Sequence, residues 1–394
     1  MDSSLIAKPV RVASIDIFRA LTMFFMIFVN DFWSVSGVPH WLEHAAASED
    51  MLGFSDVVFP SFLFILGMSI PLAMESRMKK GETKKQILWH IVVRSVALLV
   101  MGLFTVNLES GVADETGISK PVFTILTLFG FFLIWNVYPK QDGRKKYLFT
   151  ALKVLGVIIL GVLAVIYRDG EGGLFQIRWW GILGLIGWTY LLCAIIYLFL
   201  YKNRMYLWIA AVLFILLCVA GSNHWLGFFH EIIPGNGCFH AFTMGGVLLM
   251  LLFKRPETEV NPNRKLVITF VAGIGTLLLG LLSHSFWIIS KIQATPTWLF
   301  LCLGISLLTY AFIYRLTDMQ GKASWFDIIK PAGTATLTCY LLPYLLYSIF
   351  TLINLQLPES LLVSPVGLLK CAVFSLLTIG LTALLVKVGV KLKI

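Results

Sequence analysis

Charge is scarce in this sequence. Lysine, arginine, aspartate and glutamate make up 13% of its 394 residues, against about 25% in soluble globular domains. The scarcity is uneven, and 57–74 and 179–201 carry no charged residue at all. About 20 apolar residues, each adding roughly 1.5 Å along a helix, cross a hydrocarbon core of roughly 30 Å. Long polar stretches are missing too, which excludes a separate soluble domain and leaves 1–394 as one transmembrane domain. No C-x-x-C pair occurs among the six cysteines, which sit mostly inside apolar stretches. Neither a disulfide framework nor a zinc site is expected from them. The metalloprotease order H-E-x-x-H is also absent: His40 and His44 stand four apart, but in the order H-W-L-E-H, so no metal is expected. The N-terminus lacks a short apolar segment followed by a small-residue cleavage site, and no removed signal peptide is expected.

What is abundant is apolar sequence, 58% of the residues, with a mean hydropathy of +0.85. The apolar runs, from 15–33 to 364–386, number about 12 (10–12) at the length a bilayer requires. The weakest are the first and the short run at 241–253. The expected fold class is all-α, a polytopic helical membrane protein whose first partner is the lipid bilayer.

A net charge of +10 raises the question of nucleic acid, and its distribution answers it. Alternate connections hold Lys8 and Arg11, then Arg77 to Lys85, Lys140 to Lys146, Lys202 and Arg204, Lys254 to Lys265, and the tail lysines. The opposite connections hold only Lys120, Arg168, Arg178 and Lys291. This is the pattern of the positive-inside rule. Both termini are expected in the cytoplasm, the protein is expected in the inner membrane as a multi-pass chain, and no nucleic-acid partner is expected.

The histidines show the reverse bias. His40, His44, His224, His230, His240 and His284 fall in or near the outer connections, where Asp31, Glu43, Glu49, Asp50, Asp56 and Glu231 also lie. Histidine transfers protons, or accepts an acyl group, near neutral pH. In the first span Asp16 and Arg19 are three residues apart on one helical face, and ionisable groups in a span are costly and usually functional. Pro60 and Pro71 interrupt the second span, freeing carbonyls that a neighbouring helix or a cavity must satisfy. His240 and Asn236 stand in the glycine-containing PGNGCFH, where the chain can approach a ligand closely.

These residues carry a resemblance. S-I-D-I-F-R at Ser14 to Arg19, F-V-N at Phe28 to Asn30, H-A at His44, and D-V-V-F-P-S-F-L-F-I-L-G-M-S-I from Asp56 to Ile70 resemble the heparan-alpha-glucosaminide N-acetyltransferase family. The resemblance is strongest over 12–104. Later, PTWLFLCLGIS at Pro296 to Ser306 and GTATLTCYLLPYLL at Gly333 to Leu346 resemble its bacterial branch. The family moves an acetyl group from cytoplasmic acetyl-CoA to a sugar amine across the membrane. The resemblance implies acetyl-CoA as co-substrate, a sugar or glycan as acceptor, and a homodimer. It places the catalytic histidine at His44 and the asparagine of the first span at Asn30. Two departures bear on the acceptor: ISKPVFTILTLFG (Ile118 to Gly130) lacks the family's Gln-Arg pair, and IPGNGCFHAFTMGG (Ile233 to Gly246) replaces its D-P-E-G loop.

The expected function is therefore a membrane-embedded acetyl-CoA-dependent acyltransferase acting on a sugar at the outer face. His44 serves as general base or acyl carrier, with Asn30, Asp31 and Asp56 as its orienting neighbours. Arg19, Arg94 and Asp16 are the expected donor contacts, since arginine binds phosphate bidentately. His240, Asn236 and Glu43 are the expected acceptor contacts. The alternative is a secondary transporter or flippase for a sugar or lipid-linked glycan, with the outer acids and histidines as a proton relay.

Overall fold

The computed structural model describes residues 13–113, 116–139, 144–226, 234–256 and 258–394. Lys8, Arg11, Lys140, His230 and Glu231, which entered the sequence reading, lie outside the described residues. The described chain is helical: α1 (Ala13–Asn30), α2 (Ser55–Lys79), α3 (Lys84–Ser110), α4 (Lys120–Trp135), α5 (Arg144–Ile166), α6 (Ile182–Leu200) and α7 (Arg204–Ser222). There follow α8 (Cys238–Phe253), α9 (Pro262–Ser283), α10 (Pro296–Tyr314), α11 (Lys330–Thr334), α12 (Thr336–Leu352) and α13 (Val366–Lys387). Among the described residues, β pairing is limited to two isolated bridges, Ser36 with Val363 and Asn136 with Leu392.

Nine helical stretches among the described residues are long and apolar enough to cross a membrane, and α4, α8 and α12 are shorter apolar helices. The protein is a polytopic helical membrane protein. The short run at 241–253 gains its first turn from the preceding CFH, so that α8 starts at Cys238.

The chain divides into two compact units. The first comprises Met1–Thr22, His44–Ile91 and Thr189–Lys330, the second Met23–Glu43, Val92–Trp188 and Pro331–Ile394. In the first, α2 and α8 cross with their backbones almost touching. A Cβ on Gly67 would stand 1.9 Å from the Thr243 carbonyl oxygen, and one on Gly246 would stand 1.9 Å from that of Phe64. Only glycine permits this approach, the small-residue packing by which helices associate where no hydrophobic force draws them together. The Thr243 hydroxyl donates to the Leu63 carbonyl at 3.2 Å, closing the crossing.

Helix α2 runs unbroken through Pro60 and Pro71. Proline at 60 has no N–H to offer the carbonyl four residues earlier, that of Asp56. The indole N–H of Trp298 on α10 donates to that carbonyl at 3.2 Å. The cost of a proline in an apolar helix is thus met by a neighbouring helix, and the repair fixes α10 against the start of α2. Asp318 caps the start of α1, accepting the amides of Ala13 and Ser14 at 3.1 and 3.0 Å.

In the second unit, the Asn107 amide N–H donates to the Gln176 carbonyl at 2.9 Å and its oxygen accepts the Gln176 amide at 3.1 Å. Asp31, fully buried, accepts from Lys370 Nζ on α13 at 2.9 Å and from the Tyr347 hydroxyl on α12 at 2.7 Å. A buried charge persists only when paired and hydrogen-bonded, and these two partners satisfy it.

Candidate active site

The first unit brings a histidine, a carboxylate and a lysine together from two distant pieces of sequence. Asp56 sits in the first turn of α2, where unpaired backbone N–H groups favour an anion. Its side chain is 1% exposed. His44 lies near the start of the loop before α2, with its ring 46% exposed and Nδ1 2.7 Å from Asp56 Oδ1. The amide N–H of Ala45 donates to Asp56 Oδ2 at 3.0 Å, so the residue after the histidine secures the carboxylate that holds the ring.

Lys291 completes the cluster from the connection between α9 and α10. Its Nζ lies 3.1 Å from His44 Nδ1 and 3.6 Å from Asp56 Oδ1. Burial pulls the Lys291 ammonium below the ordinary lysine value, against the upward pull of the Asp56 charge. Three further ties hold the two loops to each other. Asp50 accepts from His284 Nε2 at 2.8 Å and from the Ile289 amide at 2.8 Å. The Gln293 side-chain amide donates to the Ala47 carbonyl at 2.7 Å. The Ile289 amide, followed by His284, holds the Asp50 carboxyl below the usual aspartate value.

Chemically, the arrangement orients an imidazole. A carboxylate accepting from Nδ1 fixes the tautomer and leaves Nε2 with its lone pair free, the state required of a general base or an acyl acceptor. Among the described residues, no three His, Cys, Asp or Glu side chains are grouped to hold a metal ion.

The remaining sequence candidates are distributed as follows. Asp16 and Arg19 pair at 3.0 Å, and Arg19 Nη2 also donates to Ser69 Oγ on α2 at 2.7 Å. His240 is fully buried in the first turn of α8, stacked on Phe214 with ring centroids 4.9 Å apart, and neither ring nitrogen has a hydrogen-bond partner. Asn236, just before α8, is buried with φ of 52°. Asn30, Asp31, Glu43 and Arg94 belong to the second unit. There Asn30 is exposed, Arg94 is half-buried on α3, and Glu43 lies 3.8 Å from His40. Lys291 was missed as a site residue. Its one signal was statistical, a cation in a set of connections that holds few.

The fold and this cluster define a polytopic membrane protein with an oriented histidine at the head of a proline-containing span. Residues 11–233 match the family described as a domain of unknown function (DUF5009); this is more than half of the chain, and the chain belongs to that family. It is also 39% identical over 102 residues to human heparan-alpha-glucosaminide N-acetyltransferase, covering 26% of this chain and 14% of the human protein. With the mouse protein of the same name it shares 39% over 154 residues, 36% of this chain and 22% of that protein. The matches thus take in less than a quarter of those relatives' length. The family resemblance read from Ser14 to Arg19 and Asp56 to Ile70 holds.

Proposed function

We propose that the chain is a membrane-embedded acyltransferase that moves an acetyl group from cytoplasmic acetyl-CoA to an amine or hydroxyl of a sugar at the outer face. The observation that carries the reading is the 2.7 Å contact between His44 Nδ1 and the buried Asp56 carboxylate. It falls within the residues that match the family. In one route, Nε2 removes the acceptor's proton as its nitrogen or oxygen attacks the thioester carbonyl. The tetrahedral adduct collapses, the C–S bond breaks, and the proton passes to the CoA thiolate. In the other, Nε2 itself attacks, CoA leaves as the thiol, and the acceptor takes the acetyl group from the imidazole. Both give the acetylated sugar and CoA-SH, and both need the same tautomer.

Arg19, tied to Asp16 and Ser69, is the proposed phosphate contact for the donor in the first unit, and His240 and Asn236 are proposed acceptor contacts there. Asn30 is a proposal carried by the sequence resemblance, and Asp31, Glu43 and Arg94 are proposals read from the chemistry of the sequence. The direct test is thermal unfolding of the purified protein with and without CoA. A ligand at 100 times its dissociation constant stabilises the folded state by about 2.7 kcal/mol, so the transition should rise by several degrees. An unchanged transition at millimolar CoA would overturn the reading and favour transport of a sugar instead.

A further inference from the structure

Lys291 creates a conflict at His44 that only one protonation state resolves. Its Nζ lies 3.1 Å from Nδ1, and the same Nδ1 lies 2.7 Å from Asp56 Oδ1. A ring nitrogen carries either a proton or a lone pair. It cannot accept from the ammonium and donate to the carboxylate at once. The shorter contact requires a proton between Nδ1 and Oδ1, because two bare lone pairs would repel at that distance. Where the proton resides depends on the carboxylate. Oδ2 accepts the Ala45 amide at 3.0 Å, and the ammonium stands 3.6 Å from Oδ1. Both interactions favour the ionised acid, so the proton belongs to Nδ1.

We infer that Lys291 is a positioning residue for His44: its ammonium, seated against Asp56, keeps that carboxylate ionised to accept the proton on Nδ1 and so leaves the Nε2 lone pair free. The purpose of this arrangement rests on the acyltransfer reading above, whereas the geometry stands without it. A neutral imidazole with Nε2 free is the form that can deprotonate an acceptor or take an acyl group.

The charged and titratable groups around Lys291 are few. Asp56 faces it from α2, His44 from the loop before α2, and the Cys302 thiol from α10. Asp50 and His284 lie at the two ends of the clasped loops and are bound to each other. The Ile289 amide on Asp50 and the Gln293 contact with Ala47 flank Lys291 on both sides, which fixes the loop that delivers it.

The test follows the reactivity of His44 toward diethyl pyrocarbonate in the purified full-length protein. An unprotonated imidazole nitrogen attacks the reagent's carbonyl and becomes ethoxyformylated, and the displaced ethyl carbonate breaks down to ethanol and carbon dioxide. Peptide mass spectrometry reports the adduct on His44 across the neutral and mildly acid range. In Lys291→Met, Asp56 loses the cation that keeps it ionised, and the ring proton is no longer held on Nδ1. His44 should then react about tenfold more slowly than in the wild type at neutral pH. Lys291→Arg should keep the wild-type profile. A Lys291→Met profile identical to wild type would overturn the inference.

If Lys291→Met fails to fold, the wild type itself decides the matter through nitrogen chemical shifts of labelled histidine, with His44 assigned from a His44→Gln sample. The Nδ1–H tautomer supports the inference, and the Nε2–H tautomer overturns it. Neither readout involves acetyl-CoA or an acceptor. Failure of the transferase reading therefore appears as absent turnover, and failure of the Lys291 assignment as an unmoved profile.

Discussion

Replacing Asp56 with asparagine keeps the shape of a side chain that is 1% exposed and changes only its charge and one acceptor. The carboxylate faces three donors: the Ala45 amide at 3.0 Å, His44 Nδ1 at 2.7 Å and Lys291 Nζ at 3.6 Å. An asparagine offers one oxygen and one NH2 group. With the oxygen toward Ala45, the NH2 donates to Nδ1, which must then be bare, and the ring proton moves to Nε2. With the oxygen toward His44, the NH2 opposes the Ala45 N–H. The first arrangement blocks the reactive nitrogen and the second leaves two donors in contact. Loss of a hydrogen bond to a charged group costs about 1.5–3 kcal/mol, and the Lys291 ammonium also loses its counter-charge. A correctly placed general base contributes about 10²–10⁴-fold to rate, so Asp56→Asn should lower acetyl transfer by at least about a hundredfold. Its thermal transition should fall by only a few degrees. The assay is transfer of labelled acetyl from acetyl-CoA to amino sugars, with ethoxyformylation of His44 as a parallel readout. Rates within twofold of wild type in both would refute the argument that Asp56 sets the tautomer.

The further outcomes concern the scaffold. Gly67→Ala places a Cβ 1.9 Å from the Thr243 carbonyl oxygen and should destabilise by at least the ~1–3 kcal/mol typical of overpacking. Gly275→Ala, with nothing within 4 Å, should be neutral or slightly stabilising in the same melting experiment. Lys370→Met strands the buried Asp31 carboxylate, a loss of about 3–5 kcal/mol when one member of a buried pair is removed. The Asp31→Asn/Lys370→Met double variant should recover part of the drop in transition temperature. The Asp50 clasp is pH-dependent in a defined direction. Its carboxyl is held below the ordinary aspartate value of 3.8, so its contribution is complete above that value and is lost as pH falls through the lower, folded one. Hydrogen exchange at the Ile289 amide should accordingly be protected through the neutral and mildly acid range and lose protection only below it.

The helices were legible because apolar length is a local property. The uncharged run beginning at Val57 became part of α2, Ser55–Lys79, and the last run became α13, Val366–Lys387. The ends were less legible, since α4 stops at Trp135 and α8 starts at Cys238; apolar composition alone does not register where a helix caps. Within the site, His44 and Asp56 stand 12 residues apart in one motif and could be read together. Lys291 is 247 residues from His44, and no periodicity or motif encodes such a contact. The partners of Asp31 were hidden for the same reason: Tyr347 and Lys370 are 316 and 339 residues away. Sequence placed His240 in a glycine-containing loop, whereas the helix extends back to include it and buries it completely.

The central claim is that this chain transfers acetyl groups through His44. The most direct measurement compares wild type and His44→Ala, both purified and reconstituted, for acetyl-CoA-dependent acetylation of a panel of amino sugars. The account predicts turnover by the wild type on at least one sugar and its loss, by about a hundredfold or more, in His44→Ala with an unchanged melting transition. Equal turnover by the two proteins would contradict it.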